Sequence, residues 1–142
     1  MGNIQDKVGR QAEKETEKLL KKYGYWALLV QKGPNGQPFD VVACKEKENG
    51  EKITWFVDVK HLKEKEVSFP FDRVESNQET SMKYARKFAG IKEYLGFVIV
   101  LERAENRFLF LDYDKFIRLK EKGLKSVKID ELVNYEDLLC TL

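Results

Sequence analysis

Cysteine, histidine, charge of one sign and long apolar runs are all in short supply in this sequence. Cys44, Cys140 and His61 are the only cysteines and the only histidine among 142 residues. Two thiols make no disulfide framework, and one imidazole beside them makes no zinc-ligand set. Both cysteines are expected as reduced core residues. The 26 basic and 24 acidic residues leave a net charge of only +2. That balance neither demands nor excludes nucleic acid, and the distribution of charge matters more than the sum. No stretch approaches the ~20 apolar residues of a membrane span. The N-terminal MGNIQDKVGRQAEKE has no apolar signal core, and Asp6 stands where a myristoylation string needs Ser or Thr. A cytoplasmic chain with no membrane partner is expected.

The composition is 42% hydrophobic and 35% charged, which suits a globular chain with a heavily solvated surface. Its length suits one domain over 1–142. There is no repeat, low-complexity tract or linker. Residues 5–23 carry Val8, Ala12, Thr16, Leu19, Leu20 and Tyr23 on one helical face, and Gly24 ends the helix. YWALLVQ (25–31) reads as a buried strand and KGPNGQP (32–38) as a loop. FDVVACK (39–45) and ITWFVDVK (53–60) read as strands joined at Asn49-Gly50. Residues 61–75 read as irregular. Ser76 and Glu79 form a capping box for a helix whose inner face carries Gln78, Met82, Ala85 and Ala89 up to Gly90. LGFVIVLE (95–102) and RFLFLDY (107–113) are strands around an Ala-Glu-Asn turn. Asp114 caps a helix to Lys122, and 130–140 is a last helix. The order αβββαββα implies an α/β fold, with a mixed sheet of about five strands flanked by helices.

Three charged residues stand where a buried strand should avoid them. Asp58 and Lys60, at i and i+2, project to one face, with Val57 and Val59 on the other. The hairpin places Asp40, at the start of one strand, near Asp58, at the end of the next. Two carboxylates that close repel unless a cation lies between them. A hard divalent ion satisfies both, since Mg²⁺ takes one or two carboxylates with water and phosphate oxygens. A metal that lowers the pKa of water, beside an ammonium, is what phosphodiester hydrolysis needs. A lone Asp-x-Lys is more often a surface salt bridge, so Asp40 carries much of the weight. On the first helix, Glu13 lies on the side of Leu20 and can reach the sheet. Glu17 lies toward solvent, within reach of Lys14, Lys18 or Lys21, and Glu15 borders the other edge.

GRQAEKETEKLLKKYGYWALLV, then PFDVV, then FVDVK, then a Gln-bearing helix ending KYARKFAG, resembles the PD-(D/E)xK nuclease superfamily. Within it, the pattern is most similar to archaeal-type Holliday-junction resolvases, over about 8–112. The resemblance implies a restriction-endonuclease-like core there, with 113–142 as a C-terminal helical extension. It implies catalytic roles for Glu13, Asp40, Asp58, Lys60 and Gln78. Mg²⁺, with Mn²⁺ as substitute, would be held by Glu13, Asp40, Asp58 and the Val59 carbonyl. It also implies a homodimer acting on branched DNA in recombination and repair. The pattern departs at Asp58, where the resolvases carry Glu, and ahead of Asp40, where they carry Ser. VSFPFDRVESNQ is similar instead to resolvases of Gram-positive bacteria and their phages.

A nuclease must hold a polyanion. Lys63 and Lys65 follow the third strand, Arg73 precedes the second helix, and Lys83, Arg86 and Lys87 lie on it. Such clusters supply phosphate contacts that position DNA without reading its sequence. Interspersed Glu64, Glu66, Glu75 and Glu79 equally suit an ordinary solvated face. Phe69, Pro70 and Phe71 suit a wedge at a branch, a dimer contact or a cover over the core. Two other functions remain open. One is a repair, restriction-like or phage nuclease cutting flaps or duplex. The other is a non-catalytic DNA-binding module, whose expected mark would be a broken acid-lysine set.

Overall fold

The computed structural model describes residues 4–31, 39–88, 94–102 and 106–142, with side chains at 4–7 and 88 left aside. The chain folds in the order α1 (Ile4–Lys22), β1 (Trp26–Leu29), β2 (Val41–Glu46), β3 (Lys52–Leu62), β4 (Ser68–Pro70) and α2 (Ser76–Phe88). There follow β5 (Leu95–Leu101), β6 (Arg107–Asp112), α3 (Tyr113–Glu121), β7 (Ser126–Lys128), β8 (Val133–Asn134) and α4 (Tyr135–Thr141). Short 3-10 turns cover Phe71–Arg73 and Ile129–Glu131.

Among the described residues the main sheet is mixed and flanked by helices, as expected, with six strands in the order β1-β2-β3-β5-β6-β8. Among the described residues only β3 and β5 pair in parallel, with Asp58 opposite Phe97 and Lys60 opposite Ile99. The helix between them makes that crossover, as parallel neighbours require. The remaining pairs are antiparallel. β5 is buried at every residue, which is why it reads as an unbroken apolar run. At its second position, Gly96, a Cβ would run into the carbonyl oxygen of Leu111. Only glycine lets β6 approach there.

Two cores lie on either side of this sheet. One joins Leu19 and Leu20 of α1 to Trp55, Val57, Phe110, Tyr135 and Leu139. Trp55 meets Phe110 at 5.1 Å and Tyr135 at 5.0 Å between ring centroids, both edge-on. The other joins Leu62, Phe69, Met82, Ala85, Phe97, Ile99 and Phe116. Phe69 and Phe71 are buried in it, so they cover the core rather than wedge a branch.

Several local expectations shift. β1 is four residues long and half exposed, because nothing among the described residues covers the side of it that carries Trp26 and Leu28. Cys44, across from Trp26, shares that exposed side, and Cys140 is exposed as well. Neither cysteine is a core residue. Residues 61–75 are not wholly irregular, since they contain β4 and a 3-10 turn. The capping box moves by one residue. Gln78 accepts from the Glu75 N–H at 3.2 Å, the reach-back expected of a third helical residue, and Glu79 turns to Lys120. Asp112, not Asp114, caps α3, accepting from the N–H groups of Asp114 and Lys115. The last helix begins at Tyr135, and 113–142 holds two short strands besides its helices. Ala89, Gly90, the loop 32–38 and the turn residues 103–105 lie outside the described residues.

Candidate active site

Val41 is the first residue of β2 and pairs with β3 opposite Val57. One residue earlier the strands part, and Asp40 takes over from the ladder. Its N–H donates to the Val57 carbonyl at 3.0 Å, and its Oδ2 accepts from the Val59 N–H at 2.6 Å. A charge-assisted bond of that kind contributes about 1.5–3 kcal/mol. Asp40 is therefore fixed by backbone on both sides and is largely buried. The Val59 N–H thus holds Asp40 in place.

Asp58 is fully buried, at 0% exposure. Neither of its oxygens accepts a hydrogen bond among the described residues. Burial pushes its carboxyl well above the usual range. The charge of Asp40 pushes it further up, Lys60 pulls it down, and Glu13 and Glu75 push it up again. An ionised carboxylate without partners in such a place costs on the order of several kcal/mol.

Lys60 does not turn its ammonium onto Asp58. Its Nζ donates to Gln78 Oε1 at 2.6 Å. That same oxygen accepts from Glu75 N–H at the start of α2. The first turn of α2 therefore anchors the lysine, and Met82 and Ala85 bury the helix face that points Gln78 at the sheet.

The structure brings Asp40, Asp58, Lys60 and Gln78 together, with Glu13 half-buried on α1 and close enough for its charge to act on Asp58. Glu15 instead binds Asn106, and Glu17 pairs with Lys21 at 3.4 Å. No three His, Cys, Asp or Glu side chains among the described residues are gathered tightly enough to enclose a metal ion. The expected set of Glu13, Asp40 and Asp58 is thus an open one. An unpartnered buried carboxylate beside a second, anchored one still fits a divalent cation. Mg²⁺ takes one or two protein carboxylates and completes its shell with water and phosphate oxygens. Sequence reasoning missed Glu75. Its signal was its place three residues ahead of Gln78, which makes it the cap of α2.

The expected DNA-contacting residues separate into two groups. Lys63, Lys65 and Arg73 are exposed just beyond β3, with Arg73 3.8 Å from Glu66. Arg86 is held by Asp114 at 3.0 Å, at the far end of α2. Lys83 and Lys87 are exposed, about half a turn around the helix from Gln78. No helix among the described residues is long and apolar enough to cross a membrane.

No family model and no curated protein matches the chain. Among solved structures, the fold is similar to the 1.6 Å structure of Hjc, a Holliday junction resolvase from the archaeal hyperthermophile Archaeoglobus fulgidus. The TM-score is 0.56 at 21% identity, over 92% of this chain and 99% of that one. The resemblance read from the sequence holds at the level of fold: this chain has a mixed α/β fold similar to that of the archaeal resolvase.

Proposed function

We propose that this protein is a Mg²⁺-dependent endodeoxyribonuclease acting on branched DNA, in the manner of a Holliday-junction resolvase. The observation that carries the reading is Asp58. A fully buried carboxylate with no hydrogen-bond partner among the described residues lies beside anchored Asp40, on the same strand as Lys60. Such a group costs a fold stability unless it is protonated or meets a cation, which favours a functional role for it. The similarity of the fold to Hjc supports the choice of DNA, and of branched DNA in particular.

Asp58 and Asp40 would hold the ion, with Glu13 adding negative charge from α1. When bound, Mg²⁺ (or Mn²⁺) supplies positive charge for the phosphate and lowers the pKa of a ligated water. Lys60 orients the attacking water and stabilises the charge that develops on the phosphoryl oxygens. Gln78 fixes the lysine for that task. Cutting two strands of one junction calls for two such sites, hence a homodimer. Work on DNA in recombination and repair suits a cytoplasmic chain.

The test is cleavage of a mobile four-way junction and a matched linear duplex, each with Mg²⁺ and with EDTA, with Asp58→Asn as control. Paired symmetric nicks on the junction alone, lost in EDTA and in the variant, are expected. Cutting of both substrates would keep the nuclease and remove the junction preference. Cutting of neither would remove both.

A further inference from the structure

Two ion pairs fix how α2 and α3 lie. Lys120, near the end of α3, binds Glu79 near the start of α2 at 2.8 Å. Arg86, near the end of α2, binds Asp114 at the start of α3 at 3.0 Å. The helices are therefore antiparallel neighbours, and the end of α3 lies beside the turn of α2 that carries Gln78. From there the chain turns at Gly123, whose φ of +85° suits glycine, and enters β7. β7 pairs with β4, setting Ser68 opposite Lys128 and Pro70 opposite Ser126. Two further bonds extend this ribbon: the Phe71 N–H donates to the Lys125 carbonyl at 2.8 Å, and the Ile129 N–H to the Val67 carbonyl at 3.0 Å. Phe69 and Val127 face the core, so Ser126 and Lys128 face outward and are exposed.

Charge is concentrated in this part of the chain. Residues 113–128 carry six basic side chains and two acidic ones, while the whole chain is only +2. Lys120 is committed to Glu79, and Lys115 to the Glu131 carbonyl. Lys122, Lys125 and Lys128 are exposed and make no ion pair among the described residues. Lys63 and Lys65 are exposed in the turn that enters β4. The acids nearby in the chain are Glu64, Glu66, Asp72, Asp114, Glu121, Asp130 and Glu131, of which Glu66 is engaged by Arg73 and by the Lys63 N–H, and Asp114 by Arg86.

We infer that the β4–β7 ribbon is the surface that carries the DNA phosphate backbone to Lys60, with Lys63 and Lys65 on one strand's side and Lys122, Lys125 and Lys128 on the other's. The inference rests on the nuclease reading of the site. It moves the DNA track off the outer face of α2, where Lys83 and Lys87 point away from Gln78 and Arg86 is taken by Asp114. It also gives the region after Tyr113 a task that the sequence did not reveal. Lysines on a ribbon position a backbone and read no bases, so the contact should be equal on junction and duplex arms.

The experiment is fluorescence-anisotropy binding of a labelled four-way junction, in EDTA, from 50 to 200 mM salt. It compares wild type, Lys125→Gln/Lys128→Gln, and Lys14→Gln/Lys18→Gln, which removes two charges from α1. Each lost phosphate contact lowers the salt slope by about 0.9. The ribbon variant should lose roughly two contacts and bind about tenfold to a hundredfold more weakly at 100 mM salt. The α1 variant should match wild type. A wild type that cuts DNA, with a ribbon variant of unchanged slope, overturns the inference and leaves the nuclease standing. Equal losses in both variants also overturn it, because bulk charge then explains binding. A wild type that neither binds nor cuts DNA overturns the nuclease reading itself. As a check independent of folding, bound DNA should shield Lys125 and Lys128 of the wild type from acetylation and leave Lys14 and Lys18 open. The reverse pattern overturns the inference.

Discussion

Gln78 Oε1 accepts from Lys60 Nζ at 2.6 Å, so the one lysine on the acid-bearing end of β3 is held by the first turn of α2. If Lys60 stabilises charge at the phosphate, Lys60→Ala should lower cleavage by about 100- to 1,000-fold. Gln78→Ala leaves the ammonium in place but unanchored. It should lower kcat by about tenfold to a hundredfold with little change in KM. Gln78→Glu keeps an acceptor and should recover part of the loss. Single-turnover cleavage separates these cases, and a fully active Lys60→Ala would remove the lysine from the chemistry.

Asp58 gives a stability prediction with a definite sign. Its folded-state pKa is raised, chiefly by burial and then by Asp40. The stability tied to its protonated form is fully present below the ordinary carboxylate range and is lost as pH rises through the raised value. Asp58→Asn, which cannot ionise, should therefore melt above the metal-free wild type at pH 8, and the gap should close toward pH 4. Added Mg²⁺ should raise the wild-type Tm and leave the variant unmoved. Thermal melts in EDTA and in Mg²⁺ check this. A variant no more stable at pH 8 would show that Asp58 carries no unrelieved charge.

At Asp40 two substitutions separate fold from function. Asn keeps an oxygen to accept the Val59 N–H, so Asp40→Asn should fold almost as well as wild type. Asp40→Ala leaves that N–H without its acceptor and should cost about 1–3 kcal/mol in urea unfolding. Both should lose cleavage. An active Asp40→Asn would show that the negative charge is dispensable.

Tyr135 ties α4 to the core. Its ring lies 5.0 Å from Trp55 and 5.5 Å from Phe110, fully buried. Tyr135→Ala should cost about 3–5 kcal/mol. The hydroxyl has no hydrogen-bond partner among the described residues, so Tyr135→Phe should be neutral or stabilising. Paired urea titrations decide. A tolerated alanine would show α4 to be dispensable to the core.

The sequence was legible wherever one element explained itself. The apolar face of α1, the unbroken run of β5 and the Asp-x-Lys parity of β3 all came out as read, because each depends on neighbours a few residues apart. The cysteines did not. An apolar run shows that Cys44 is in a strand, but not that its side of the sheet is left uncovered. The strands β7 and β8 were missed because three and two residues carry no periodicity.

The order of acid, acid and lysine on helix and strand was therefore determined by the sequence alone, because strand parity and helix periodicity are local. Tertiary structure decided which groups answer them. It turned Lys60 to Gln78, placed Glu75 within electrostatic reach of Asp58, and set Lys128 across from Ser68. These are pairings between segments 17 to 60 residues apart in the chain. Only the packing of α2 and α3 on the sheet, through side chains that local patterns leave equivalent, selects them.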